Sequence, residues 1–370
     1  MPLDNLILDV DDQIIKIRTK NLDVSFNELY DMYQNGELII DPDYQRLFRW
    51  EISKQSRFIE SLILEMPVPP IFVIEKSDGI YELIDGLQRI SSYLRFRGID
   101  LQSGIDKLDD PDSNSGNSVF LEGCDIVPDL NGYCYDTLPK SLQIKLKRSF
   151  VRMEVIKKES EPSLKYHMFK RLNTGGDLLS DQEIRNCTIR LLGSEGISFL
   201  EKCSKNPDFI NVISRLDEEK LKRKYDQELV LRFFAIKNNL QNYRYPVTEY
   251  LTNYLEKMTL DGQFAYEKEE MIFNKTFKWI NECWGEDAFS PKTVNGYYRN
   301  EFALYLFDGI SIPIANNIDV INPNNIGDII TSVETVKFGE QIKQYKTGSV
   351  NGLKTRIKMF TEGVKRAIEP

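Results

Sequence analysis

Histidine is nearly missing from this chain: His167 is the only one in 370 residues. Zinc fingers of the two-Cys, two-His type, HNH and HEXXH centres, and a Ser-His-Asp triad beside a separate zinc site all need more imidazole than that, or a partner for it. If the chain acts on nucleic acid, it does not cut it with histidine–metal chemistry. Cysteine is sparse too. Cys124, Cys134, Cys187, Cys203 and Cys283 are scattered without a close CxxC pair, the pattern of reduced thiols in a cytosolic protein. Long apolar runs are lacking: the stretch from Ile63 to Ile74 is interrupted by Glu65 and three prolines, and the start, MPLDNLILDVDD, has no basic region ahead of an apolar core. Neither a membrane span nor a signal peptide is expected, and the expected compartment is the cytoplasm. Positive charge is not in excess either, with 48 Lys+Arg against 57 Asp+Glu and a net charge of −9. That balance argues against indiscriminate binding to a polyanion and leaves local basic faces open.

What is present is a globular composition, 41% hydrophobic and 28% charged, in a length that suggests two domains. The expected division is 1–180 and 181–370, with an insertion at about 100–140. Ser25 to Tyr33 reads as a short helix, Glu37 to Ile40 as extended, and Ser53 to Glu65 as an amphipathic helix with Phe58, Ile59, Leu62 and Ile63 on one face. A strand at Ile71 to Glu75, a turn at Asp78-Gly79 and a returning strand at Ile80 to Ile84 form a hairpin. Asp85-Gly86 then turns the chain into a helix, Leu87 to Arg97, closed by Gly98. Residues 100 to 140 are rich in Asp, Ser, Asn and Gly and read as a surface insertion, ordered again at NGYCYDTLP. A helix at Lys140 to Arg148, a strand at Arg152 to Ile156 and a helix at about Ser163 to Leu172 follow. Ser180 with Glu183 forms a capping box that should start a helix running to about Leu192. Beyond Gly193 the pattern is helical, with long segments at Glu218 to Asn238, Thr248 to Met258 and Glu267 to Cys283. The tail from Gln341 to Arg366 carries seven Lys or Arg and one Glu. Such a run reads first as a solvated helix face and second as a phosphate-facing surface.

Three polar clusters fall where strands and helices meet. They are Asp43-Tyr44-Gln45-Arg46 with Arg49-Trp50, then Asp85-Gly86-Leu87-Gln88-Arg89, then Phe169-Lys170-Arg171-Leu172-Asn173-Thr174-Gly175-Gly176. A strand-to-helix junction offers backbone N–H groups and the positive end of a helix, which suits phosphate, and arginines bind phosphate oxygens bidentately. On the helix after Gly86, Leu87, Ile90 and Leu94 form the apolar stripe, leaving Gln88 and Arg89 off it. The plainer reading is that Asp85 only makes a turn, Arg89 pairs with a surface carboxylate, and Gly175-Gly176 is a loop. His167 reads as structural.

Four stretches in order, DPDYQRLFRW, RFIESLILEMPVPPIFV, YELIDGLQRISSYLRFRG and MFKRLNTGGDLLSDQEIRNC, with LNGYCYDTLP before the last and RKYDQELVLRFFA after it, resemble the N-terminal specificity domain of the GmrSD-type restriction endonucleases. This prokaryotic family is related to ParB and sulfiredoxin, and the resemblance covers roughly residues 25 to 240. It implies an α+β fold: a ParB/sulfiredoxin-like domain with a small mixed sheet, followed by an all-helical domain. It further implies a nucleoside triphosphate with Mg held by Tyr44, Gln45, Arg46, Gly86, Gln88, Arg89, Arg171, Asn173, Gly175 and Gly176. Asp85 and Asp43 are the nearby acids for activating water, with Asp85 also the metal ligand. DNA is the expected macromolecular partner, with a separately encoded nuclease.

Two departures bear on this. The family's second motif usually reads Asp-Gly-Gln-Gln-Arg, and Leu87 here stands at its third position, where it can neither hydrogen-bond nor orient a water. Many members continue into an HNH nuclease domain, and none is expected here, where His167 is the single histidine. The expected function is therefore a nucleotide-responsive module of a DNA-defence system, with a non-catalytic DNA-binding or adaptor protein as the alternative and a nucleotide-free scaffold as a third class. Sulfiredoxin chemistry is rejected, because it needs a cysteine at the strand-to-helix turn and the nearest in sequence is Cys124.

Overall fold

The structure, a computed structural model, describes residues 10, 18–40, 50–99, 119–160, 168, 180–190, 192–293, 295–345 and 348–368. The chain divides into two compact units, 1–176 and 177–370; the sequence places the boundary at 180.

In the first unit β1 (Thr19–Ser25), α1 (Phe26–Gln34), β2 (Leu38–Ile39), α2 (Ile52–Ile63), β3 (Ile71–Ser77), β4 (Ile80–Asp85), α3 (Leu87–Phe96), α4 (Lys140–Arg148) and β5 (Phe150–Ile156) build one mixed sheet with helices packed on it. The strand order is β1-β5-β3-β4-β2. β3 and β4 form the expected antiparallel hairpin, while β3 runs parallel to β5 with Ile71 opposite Met153. A parallel pair needs a long crossover, and α3, the 119–139 segment and α4 supply it. β1 joins antiparallel to β5, and β2 pairs parallel to β4 over two residues.

The apolar stripes behave as their spacing predicts. Phe58, Ile59, Leu62 and Ile63 of α2 are buried, as are Leu87, Ile90 and Leu94 of α3. Ser25 caps α1 by accepting the Glu28 N–H. The ring of Phe26 then sits 5.1 Å from Tyr93 and 5.9 Å from Phe58, joining the three helices. Arg97, just past α3, lies 4.3 Å from the Tyr30 ring and 4.5 Å from the Tyr135 ring and donates to the Tyr93 hydroxyl. Of the expected insertion, residues 119–139 are irregular, with single 3-10 turns at Pro128–Leu130 and Tyr135–Thr137. They are anchored by Glu60, whose buried carboxylate accepts the N–H groups of Ile126 (3.1 Å) and Val127 (2.6 Å). The rest of the insertion, and the expected helix at about Ser163 to Leu172 save Met168, fall outside the described residues, as does His167.

The second unit holds α5 (Asp181–Ile189), α6 (Glu195–Ser204), α7 (Pro207–Val212), α8 (Glu218–Lys222), α9 (Tyr225–Asn239), α10 (Val247–Leu260), α11 (Tyr266–Trp284), α12 (Leu304–Asn316), α13 (Ile326–Phe338) and α14 (Val350–Ile368). The Ser180–Glu183 capping box starts α5 as expected. The single helix expected over Glu218 to Asn238 is instead two, because Lys224 turns left-handed (φ +61°) and breaks the backbone ladder between α8 and α9. The core is aromatic: Phe209, Phe233, Phe234, Phe273, Phe277 and Phe307 are fully buried, with Phe273 and Phe277 rings 4.4 Å apart. α12 is buried on all sides from Leu306 to Ala315, the signature of a central helix. A Cβ at Gly309 would meet the Phe360 ring at 2.6 Å, which is how α14 comes so close to α12.

Candidate functional site

Of the three sequence clusters, the one at the end of β4 lies wholly within the described residues. Strand β4 ends at Asp85, and Gly86 then adopts φ +102°, a left-handed conformation that other residues rarely tolerate. A Cβ at Gly86 would also fall 2.5 Å from Ile71 Cγ2 at the start of β3, so both conformation and space demand glycine. With no side chain at this N-cap, α3 starts without a side-chain cap. The positive end of the helix is thus left to other acceptors.

Arg89 is held across this turn. Its Nη2 contacts Asp85 Oδ2 at 2.9 Å and its Nη1 donates to the Pro69 carbonyl at 2.8 Å. One guanidinium therefore ties the entry to β3, the end of β4 and the first turn of α3. Burial pulls the Arg89 guanidinium below its ordinary value, and the adjacent Asp85 carboxylate pulls it back. The plainer sequence reading, an ion pair with a carboxylate, is the geometry found, and the carboxylate is Asp85 itself. Leu87 is 7% exposed and packs on the apolar face.

Gln88 reaches the other way. Its Oε1 accepts the Trp50 N–H at 3.1 Å, and Trp50 O in turn accepts from Gln55 Nε2 at 2.6 Å. The end of the first sequence motif, DPDYQRLFRW, thereby meets the second motif through Trp50. Asp43, Tyr44, Gln45 and Arg46 lie outside the described residues, as do Arg171, Asn173, Gly175 and Gly176. Gln55 was not singled out from the sequence. It shares the buried face of α2 with Phe58, Ile59 and Leu62, is 3% exposed, and its Oε1 has no hydrogen-bond partner among the described residues. A polar residue at i, i+3, i+4 spacing from an apolar stripe is the signal that would have found it.

The latter half of the third motif has a structural role. Arg185, 2% exposed, is held by Glu228 (2.8 Å), Gln182 (2.9 Å) and Thr252 (3.1 Å), while Asn186 donates to Gln227 (2.6 Å). A cleft of about 160 Å³ opens beside it, lined by Ser180, Gln182, Lys220, Arg223, Tyr225 and Glu228. The Cys124 thiol, the nearest in sequence to the Gly86 turn, is pushed up to about 11 by burial, with Glu60 and Asp125 adding to it. That is the opposite of a reactive thiolate. Among the described residues there is no cluster of three or more His, Cys, Asp or Glu side chains fit to hold a metal, and no helix long and apolar enough to cross a membrane.

An α+β domain whose hairpin ends in an Asp-Gly turn, opening onto an uncapped helix, is the class this geometry defines. Residues 26–190 match the family model described as GmrSD restriction endonuclease, N-terminal domain. The match runs from the first residue of α1 past the end of α5. Comparison with curated proteins and with solved structures finds no match.

Proposed function

We propose that the chain is a nucleotide-responsive component of a restriction-type DNA-defence system. It binds a nucleoside triphosphate with Mg at the β4–α3 turn and acts on or senses DNA together with a separate nuclease. The observation that carries this reading is the turn itself: an obligate glycine, a helix start without a side-chain cap, and a guanidinium and a carboxylate fixed within one turn of it. Backbone N–H groups at such a start favour phosphate oxygens, and Arg89 is positioned to add a charge-assisted contact. Mg²⁺ is commonly held by one or two carboxylates plus substrate phosphates, so Asp85 fits the role of a single protein ligand. When bound, the ion would neutralise phosphate charge. The family match over residues 26–190 supports the restriction-type setting. In this reading Tyr44, Gln45, Arg46, Arg171, Asn173, Gly175 and Gly176 complete the nucleotide site, with Asp43 as a second acid.

One observation favours the alternative, a DNA-binding or adaptor protein without turnover. Leu87 is packed into the apolar face and Asp85 is engaged by Arg89, which leaves neither arranged to activate a water. Thermal-shift measurements against the four common triphosphates with magnesium test binding; no shift with any of them removes the nucleotide reading. Phosphate release with and without DNA then separates the two, since the alternative predicts binding without release.

A further inference from the structure

The basic run at the end of the chain is not a uniform solvated face. On α14, Leu353, Arg356, Ile357, Phe360, Gly363, Val364 and Ala367 are buried, and Arg356 is spent inside, against Asp308 at 2.9 Å. At about 100° per residue, Lys354, Lys358 and Lys365 fall within about 40° of one another on the opposite side, and all three are exposed. They span roughly 16 Å at about 1.5 Å per residue. Glu362 is the sole carboxylate of the helix and reaches only Lys358, at 3.9 Å. Lys365 and Arg366 have no carboxylate partner among the described residues. Of the other exposed or half-exposed positions on this side, Asn351, Thr355 and Thr361 are polar and short, and Val350 and Ile368 lie at its two ends. Two contacts tie the 240–245 segment to the start of the helix: Tyr243 donates to Gly348 O at 2.8 Å and Lys354 to Gln241 O at 3.5 Å. They bring exposed Arg244 to the same end.

We propose that this face of α14, centred on Lys354, Lys358 and Lys365 and extended by Arg244 and Arg366, is a docking surface for the phosphate backbone of duplex DNA. The charge complementarity is local, in a chain whose net charge is −9, so the surface selects an orientation rather than coating the protein with DNA. At about 3.4 Å of helix axis per phosphate along one strand, a row of roughly 16 Å reaches about five phosphates. A solvated face would alternate charge at i, i+4 spacing, whereas Glu362 is the one carboxylate here and, among the described residues, pairs only with Lys358. The apolar side chains on this side, Val350 and Ile368, stand at the two ends of the helix and not between Lys354 and Lys365, whereas a membrane-binding helix interleaves the two. The inference deepens the proposed function by locating its DNA contact, and rests on that reading for the choice of duplex DNA.

The test is fluorescence anisotropy of a labelled 30-base-pair duplex with the full chain across a salt series. The variants are Lys354→Gln/Lys358→Gln/Lys365→Gln and a charge-matched control, Lys257→Gln/Lys268→Gln/Lys275→Gln, which alters exposed lysines elsewhere. We expect the first to weaken binding at least about tenfold near physiological salt. It should lower the slope of log K against log salt by roughly 2.7, at about 0.9 per lost phosphate contact, with the melting temperature unchanged. The control should bind as wild type does. Equal loss in both variants, an unchanged slope, a wild type that does not bind the duplex, or tighter binding to single strands or to phosphatidylserine vesicles than to the duplex would each overturn the proposal. A triphosphate thermal shift read on the same proteins keeps the two readings apart. If it is absent while the salt slope still depends on the lysines, the nucleotide site fails and the DNA surface stands.

Discussion

The turn after β4 and the centre of the helical unit use the same chemistry, arginine against aspartate, in opposite surroundings. At the turn, Arg89 and Asp85 keep 13% and 33% of their side-chain surface exposed. In the helical unit, Asp308 is closed off by Arg232 from α9 and Arg356 from α14, with side-chain exposures of 0%, 6% and 1%. Arg232 reaches it twice, at 2.6 and 2.7 Å, and Arg356 also donates to Tyr345 O. Burial alone would disfavour charge on Arg232, and the Asp308 carboxylate more than offsets it, so the guanidinium is raised. The buried triad fixes three helices and has no route to a ligand. The exposed pair holds its groups in place at a helix start and leaves a side open to solvent, which is what a binding site requires. Burial, not residue type, separates the structural pair from the candidate one.

The sharpest way to break that comparison is to remove each aspartate. Asp308→Ala leaves two guanidinium groups buried without their carboxylate and should cost about 3–5 kcal/mol, read as a lower midpoint in urea denaturation. A loss under about 1 kcal/mol would mean the triad is not the keystone described. Lys337 sharpens the same point with pH. It is 3% exposed, donates to Asp287 O and Ala288 O, and is drawn down to about 8 by burial, against the pull of Glu334 and Asp287, with Lys292 and Arg215 reinforcing the fall. Its folded value lies below the ordinary 10.5, so between the two the unfolded chain keeps a proton that the folded chain has released. Stability should therefore rise from pH 8 to 9.5 relative to Lys337→Met, by about 2 kcal/mol at roughly 1.4 kcal/mol per unit. Above pH 10 the difference levels off while both proteins lose stability together, because buried tyrosines such as Tyr250 are raised by burial and ionise more readily once unfolded. A flat difference between the two proteins across this window would put the Lys337 ammonium in contact with water.

Leu87→Gln places a polar group on a packed face and should cost about 1–3 kcal/mol, lowering the melting temperature without changing phosphate release. A variant that keeps its stability and gains turnover would restore Leu87 to the chemistry. The smallest effect is expected at Asp85→Ala, at most about 1 kcal/mol of stability for a partly exposed pair. A loss matching that of Asp308→Ala would erase the distinction between the two sites.

Much of the first unit was legible in its sequence, for identifiable reasons. The α2 and α3 stripes, the Asp78-Gly79 hairpin and the Gly86 turn each carry a local signal that agrees with the tertiary structure. Strand β1 was not legible: TKNLDVS offers only Leu22 and Val24 as apolar residues, as befits an edge strand that pairs with β5 on one side. The break at Lys224 gave no warning either, because a left-handed lysine between two helices is imposed by packing and not by propensity. At the candidate site, Asp85, Gly86 and Arg89 could be picked from their place at a strand-to-helix junction. The Pro69 carbonyl and Gln55 could not, since one is backbone and the other reads as an ordinary helix residue until its neighbours are known to be buried.

The central claim is that the Asp85–Arg89 turn holds phosphate. Calorimetric titration of wild type and Arg89→Ala with the triphosphate–magnesium complex giving the largest thermal shift tests it most directly. The account predicts saturable binding by wild type, weakened by about 2–4 kcal/mol in the variant, with a stability change of no more than about 1 kcal/mol. An unchanged dissociation constant, or no binding by wild type, would contradict it and leave Arg89 as a structural tie between β3, β4 and α3.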